Sequence, residues 1–246
     1  MRATLQGIPV DAVTLDGLLE RVGGWVDAHA RRTVGYVNVH VLNVAADDPA
    51  LTAFLGGLDL CYADGGGVVL GARITGQQLP GRMTGADWIY DLGALAAKRG
   101  WRLGWLGGEP GVTTKAAEVL TERCPGLVVA GTWHGYFPRE GPEHDALLAE
   151  IAAANLDLLL VGMGTPIQER WVAAARDRLE VPVVWCLGAT ADFVSGKVDR
   201  GPAWLHQNQE WLARLITEPG RLWRRYLIGN PRFLGRMLVE RFRSPS

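Results

Sequence analysis

Short apolar runs alternate with amphipathic stretches along most of the chain. The apolar runs cover residues 33–39, 58–62, 101–106, 127–130, 156–161 and 182–187. Most lack a clean in–out alternation, the pattern of strands covered on both faces. Between them, residues 14–30, 85–99, 112–124, 143–155 and 166–179 carry helical spacing, with Thr14 and Pro166 as start signals. Strand and helix in turn predict an α/β fold with a mainly parallel sheet and helices on both faces.

After residue 200 the pattern changes. Trp204, Trp211, Leu212, Leu215 and Ile216 make a stripe at roughly helical spacing, closed by Pro219-Gly220. Residues 221–243 then mix apolar side chains with seven Arg. The expected division is a catalytic body over 1–199 and a basic helical appendage over 200–246.

Charge sharpens that division. The 246 residues carry a net charge of −1, which excludes a chain basic throughout, as nucleic-acid binders often are. Residues 200–246 nevertheless hold nine Arg and three acids, a net +6, against 16 basic and 23 acidic residues before them. A basic segment on an acidic body points to an anionic partner. With 48% hydrophobic and 21% charged residues, the composition is that of a globular protein. Cys61, Cys124 and Cys186 lie in or near apolar runs and form no C-x-x-C, so they read as buried thiols in a reducing compartment. The N-terminus reaches Asp11 and Asp16 without an apolar stretch, so no signal peptide is expected. No apolar run approaches the length of a membrane span.

In parallel sheets ligands bind where strands end and loops lead into helices. Asp64 follows one strand and precedes Gly65-Gly66-Gly67. A carboxylate there can act as a base, or it can cap the next helix; the local signal leaves both open. Gly107-Gly108-Glu109-Pro110-Gly111 offers backbone N–H groups to a phosphate or a ring edge, or makes a tight turn. Gly162-Met163-Gly164 opens like a dinucleotide fingerprint, but Ile167 takes the place of the third Gly, which disfavours a nicotinamide site. Thr165 and Gln168 fit a T-x-x-Q capping box with Pro166 at the first helical position, so Gln168 serves the cap, a ligand, or both. Asn38 and His40, at the end of the 33–39 strand, can hydrogen-bond a sugar or base. There is no Asp-x-Asp and no Cys/His ligand spacing.

Taken in order, these segments resemble the WecG/TagA/CpsF glycosyltransferase family. The match runs through Asn38-Val39-His40-Val41-Leu42-Asn43, Tyr62-Ala63-Asp64-Gly65-Gly66-Gly67, Gly81-Arg82-Met83-Thr84-Gly85-Ala86-Asp87 and Leu106-Gly107-Gly108-Glu109-Pro110-Gly111. It continues through Gly135-Tyr136-Phe137, Gly162-Met163-Gly164-Thr165-Pro166-Ile167-Gln168-Glu169 and Glu210-Trp211-Leu212 into the Arg-rich tail. The resemblance implies a Rossmann-like fold and an inverting, metal-independent transferase without a cofactor. It would move N-acetylmannosamine or a related hexose from a UDP-sugar to a polyprenyl-diphosphate-linked saccharide, in cell-surface polysaccharide or teichoic acid synthesis.

On this resemblance the base falls on Asp64, the pocket Arg on Arg82 and the pocket Gln on Gln168. Tyr36, Asn38, Gly107, Gly108, Gly135, Gly162 and Gly164 would line the donor site. Arg214, Arg221, Arg224 and Arg225 would form a lid over the diphosphate, and Arg suits phosphate through its bidentate fork. An anionic membrane surface is the third partner implied, with the protein peripheral at the inner face of the bacterial plasma membrane. No nucleic acid is implied, and a homo-oligomer is compatible. Three departures bear on the donor sugar: Tyr36 stands where many members have Thr, and Gly188-Ala189-Thr190-Ala191-Asp192-Phe193 and Arg200-Gly201-Pro202 depart from the usual patterns. The competing reading is a non-catalytic nucleotide-sugar-binding or membrane-docking module. A bland reading of the tail makes residues 203–217 a core-covering helix and the later Arg a solvated face.

Overall fold

The computed structural model describes residues 1–198, 220 and 223–243. Six strands form one wholly parallel sheet, in the order β4-β3-β8-β7-β5-β6. They are β3 (Arg32–Val37), β4 (Leu60–Ala63), β5 (Arg102–Gly107), β6 (Val128–Trp133), β7 (Leu158–Gly162) and β8 (Val183–Cys186). Every residue of β4, β7 and β8 is buried, which explains their unbroken apolar sequence.

Alternate strand residues supply two cores. On one face Leu103, Trp105, Leu160 and Trp185 meet α1 (Leu15–Asp27), α5 (Gly85–Arg99) and α6 (Val112–Arg123). Trp88 of α5 stacks on Trp185 with ring centroids 4.8 Å apart, a pairing that contributes roughly 0.5–1.5 kcal/mol beyond burial. On the other face Leu159, Val161, Val184 and Cys186 meet α7 (Pro142–Ala153) and α8 (Ile167–Ala175). The chain leaves β5 through α6 toward β6, and leaves β7 through α8 in the opposite direction toward β8. The two loops therefore part at the carboxyl ends of adjacent strands and open a crevice there.

Several elements differ from the sequence reading. An antiparallel hairpin, β1 (Arg2–Leu5) and β2 (Ile8–Asp11), precedes the sheet. It is tied to β4 by the Cys61 N–H, which donates to Asp11 Oδ2 at 3.0 Å. The expected 33–39 strand ends at Val37, because Asn38 caps α2 (Val39–Ala45) and accepts from the Val41 N–H at 3.0 Å. Short helices α3 (Pro49–Gly56), α4 (Gly66–Ile74) and α9 (Thr190–Val194) complete the body. The expected 166–179 helix ends at Ala175 and continues as a 3₁₀ turn over Arg176–Arg178.

The final described segment is a wide helical turn, Arg224–Ile228, running into α10 (Gly229–Arg243). Phe233 and Met237 of α10 are fully buried. They fit because residue 71 is Gly: a Cβ there would lie 2.5 Å from the Phe233 ring. Around this contact Asn43 Nδ2 donates to Gly229 O, Arg232 and Arg236 pair with Asp47, and Arg241 donates to Ile74 O. The Gln6 N–H donates to the Glu240 carboxylate. Three of the tail's Arg thus fasten α10 to the body. The stripe expected over 203–217 lies outside the described residues. No described helix is long and apolar enough to cross a membrane.

Candidate active site

A cavity of about 1350 Å³ occupies the carboxyl ends of the strands. Its depth comes from glycines that let four loops touch through their backbones. Gly107, at φ +144°, has no room for a Cβ, which would overlap the Gly162 carbonyl oxygen. The Gly108 N–H donates to Gly162 O at 3.0 Å, and the Gly135 N–H donates to Gly108 O at 2.8 Å. A Cβ on Gly162 would in turn overlap the carbonyl oxygen of Gly188, and one on Gly188 would overlap the Tyr36 hydroxyl. The Gly108 N–H is therefore committed to the scaffold, and of this loop pair Gly108 lines the cavity while Gly107 lies behind it.

Asp64 stands at the cavity's other wall. Its backbone N–H donates to Val37 O at 2.8 Å, which carries the line of β4 beside β3. Because the side-chain oxygen of Asn38, Oδ1, is used as the α2 cap, its Nδ2 faces Asp64 and donates to Oδ2 at 3.2 Å. Helix α4 is capped by Gly65, at φ +92°, with no side-chain cap bond. The N-cap position itself is thus filled by Gly65, and Asp64 stands one residue before it. Nearby, the Met83 N–H donates to Ala63 O at 2.9 Å and pins the next segment to β4. Arg82 is thereby brought into the cavity wall, where it donates to Thr84 Oγ1 at 3.2 Å and pairs with Asp87 at 3.4 Å.

Tyr36 lines the cavity floor, 8% exposed. Burial, then the Glu169 and Asp64 carboxyls, push its phenol far above the ordinary range, so it stays neutral. His40 also lines the cavity. Burial first, and then the Arg225 guanidinium, hold its pKa down at about 4, so the imidazole is uncharged at neutral pH.

Of the other expected residues, Gly135, Gly162, Gly164 and Arg225 line the cavity. Gln168 does not: it is 0% exposed, and its carboxamide is spent on Gly188 N–H and Glu169. The capping box does not form either; Pro166 takes the cap position and Thr165 bonds Glu169. Arg224 is exposed and stacks over the Trp223 ring at 5.2 Å, away from the cavity. Arg214 and Arg221 lie outside the described residues.

Two lining residues had no motif to announce them. Arg139 lies 4.0 Å over the Phe137 ring and donates to Gly135 O at 2.8 Å, so its guanidinium is held at the rim. Lys197 reaches Glu109 at 2.8 Å and Asp192 at 3.7 Å, joining the loop after β5 to the segment after α9. The rim therefore combines acids with Arg82, Arg139, Lys197 and Arg225, an arrangement suited to a polar ligand carrying negative charge. Among the described residues no three His, Cys, Asp or Glu converge as metal ligands.

A parallel α/β sheet with a glycine-walled crevice, a held carboxylate and several cations defines a Rossmann-like protein built to handle an anionic ligand. The family model for the glycosyl transferase WecG/TagA/CpsF family matches residues 3–246, and the chain belongs to that family. The protein is a glycosyltransferase of the hexosyltransferase type. It is 29% identical over 204 residues to the N-acetylglucosaminyldiphosphoundecaprenol N-acetyl-beta-D-mannosaminyltransferase of Bacillus subtilis (strain 168), covering 82% of this chain and 78% of that relative.

Proposed function

We propose that the cavity transfers N-acetylmannosamine, or a closely related hexose, from a UDP-sugar to a polyprenyl-diphosphate-linked saccharide with inversion and without a metal ion. The observation that carries this is the Asp64 carboxylate, held by Asn38 in a cavity that also contains Arg82 and Arg225. The printed activity of the Bacillus relative supports the choice of donor and acceptor.

In this reading the acceptor hydroxyl oxygen bonds to the anomeric carbon while its proton passes to Asp64. The bond to the diphosphate breaks on the opposite face, and UDP leaves with the electron pair. The guanidiniums of Arg82 and Arg225 offset the charge that develops there, the role a cation would otherwise fill. The neutral phenol of Tyr36 and the neutral imidazole of His40 can hydrogen-bond sugar hydroxyls without adding charge.

The acceptor is anchored in a bilayer, so the enzyme works at its surface. Leu227, Ile228, Leu238, Val239 and Phe242 are all about half exposed or more, on the tail helix whose opposite side holds Phe233 and Met237. Apolar side chains interleaved with Arg on such a helix suit an anionic membrane interface at the cytoplasmic side.

The test is UDP release across a panel of UDP-sugars, with a short-chain polyprenyl-diphosphate-sugar acceptor and excess EDTA. Turnover on an N-acetylmannosamine donor is expected. Turnover that stops with EDTA and returns with Mg²⁺ would refute metal independence. UDP binding without turnover on any donor would refute transfer.

A further inference from the structure

The reaction above leaves Glu169, a buried acid beside the cavity, unused. Glu169 lies in the first turn of α8, 2% exposed, behind the cavity wall. Its Oε1 accepts from the Thr165 hydroxyl and from Gln168 Nε2, each at 2.8 Å. Its Oε2 is buried with no hydrogen-bond partner among the described residues. The far end of the Gln168 carboxamide accepts from the Gly188 N–H at 3.1 Å. Gly188, at φ +60°, is the residue against which the Tyr36 hydroxyl rests.

These contacts form a chain from the interior to the cavity. Glu169 orients the Gln168 amide, Gln168 holds the loop after β8, and that loop seats Tyr36. Glu169 also holds Thr165, in the loop after β7. We propose that Glu169 is a positioning residue for sugar transfer, acting as an uncharged carboxylic acid that locks these two loops together.

The two oxygens indicate the protonation state. Oε1 receives both donors, as a carbonyl oxygen would. An anion would leave Oε2 charged, buried and without a donor, whereas the neutral acid leaves only an O–H without an acceptor there, which is the smaller penalty. The titratable groups facing it are the Tyr36 hydroxyl from β3 and the Cys186 thiol from β8, both kept neutral by burial. The adjacent Arg170 is turned outward to Asp48, at 2.7 Å. Burial raises the pKa of Glu169 itself, with the bonds from Gln168 and Thr165 and the residue's own backbone N–H opposing.

The role in transfer rests on the function proposed above; the protonation state does not, so the test has separate arms. Glu169→Gln preserves the shape and the accepting oxygen of the neutral acid, while Glu169→Ala removes both. Expected for Gln is turnover within about threefold of wild type; expected for Ala is a fall in kcat of about tenfold or more, with a smaller change in KM. The Gly188 amide should exchange slowly in wild type and Gln, and faster in Ala.

The stability arm uses thermal unfolding of wild type and Glu169→Gln at several pH values. An acid whose pKa is raised by folding contributes its full stability below the unfolded value, about 4.3, and loses it as pH rises toward the folded value. The two proteins should therefore unfold together near pH 4, and the Gln variant should pull ahead as pH rises. A gap that does not widen overturns the uncharged state. A Gln variant as impaired as Ala, or an Ala variant with wild-type kcat and Gly188 protection, overturns the positioning role. Should Ala fail to fold, Glu169→Leu, which keeps the bulk but accepts no hydrogen bond, takes its place in the kinetic and exchange arms. Wild-type protein without turnover on any UDP-sugar would refute the function reading, and the stability and exchange arms would still judge Glu169.

Discussion

Asn38 is bonded at both ends of its amide: the oxygen accepts from the Val41 N–H at 3.0 Å, and the nitrogen donates to Asp64 Oδ2 at 3.2 Å. One side chain thus starts a helix and aims a carboxylate. The two tasks separate by substitution. Asn38→Asp retains an oxygen for the cap but sets a second carboxylate against Asp64, so turnover should fall about 10–100-fold through the lost donor and like-charge repulsion together, and the urea midpoint should fall as pH rises above the carboxylate range. Asn38→Ala should lose the activity and about 1 kcal/mol of stability as well. Asp64→Asn should lower kcat by about 10²–10⁴-fold with little change in UDP affinity, measured by initial rates and calorimetry.

The glycine contacts divide into those that need space and those that need only backbone freedom. Gly107→Ala would force a Cβ into the Gly162 carbonyl, so urea unfolding should show a loss of more than about 2 kcal/mol. Gly164 has positive φ but open space around it. Gly164→Ala should cost only about 1 kcal/mol. Equal losses at the two sites would contradict the close approach of the β5 and β7 loops.

His40 gives a pH signature. Its folded pKa, about 4, is below the unfolded value of about 6.5. Stability from this depressed base is present above the unfolded value and is lost as pH falls toward 4. Wild type should therefore lose stability relative to His40→Gln between about pH 6.5 and pH 4. An imidazole seen by NMR to titrate near its ordinary value would overturn this.

The two sides of α10 should respond differently. Phe233→Ala opens a cavity beside Gly71 and should cost about 3–5 kcal/mol by urea unfolding. Phe242, at 82% exposure, touches little. Changing Leu238 and Phe242 together to Ser should leave the thermal midpoint unchanged and reduce co-sedimentation with anionic vesicles several-fold. Undiminished vesicle binding would count against this helix as the membrane contact.

The central sheet was legible because strands buried on both faces must be apolar throughout; residues 156–161 and 182–187 leave little else to read. The hairpin was not, since Arg2–Leu5 and Ile8–Asp11 are only four residues each and Pro9 interrupts the second. Asn38 looked like the end of a strand because residues 33–37 extend straight into it, whereas its side chain starts a helix. Asp64 and Arg82 were identified by the family pattern, and the fold brings them to one wall. Gln168 came from the same pattern, but sequence does not tell which way a side chain in a first helical turn faces, and this one faces inward. Nothing in the sequence marks Glu169 as buried, because acids are normally exposed. Lys197 and Glu109 meet only after the chain has crossed the sheet several times.

The glycine-walled rim has an evolutionary corollary. Where Gly108, Gly135, Gly162 and Gly188 meet, the surface offered to a ligand is main chain, and main chain cannot be edited one side chain at a time. Drift in sugar preference within such a scaffold has to pass through the few positions that project into the cavity, Tyr36, His40 and Arg139 among them. A wall that resists editing and a side chain open to it therefore lie in direct contact, Gly188 against Tyr36.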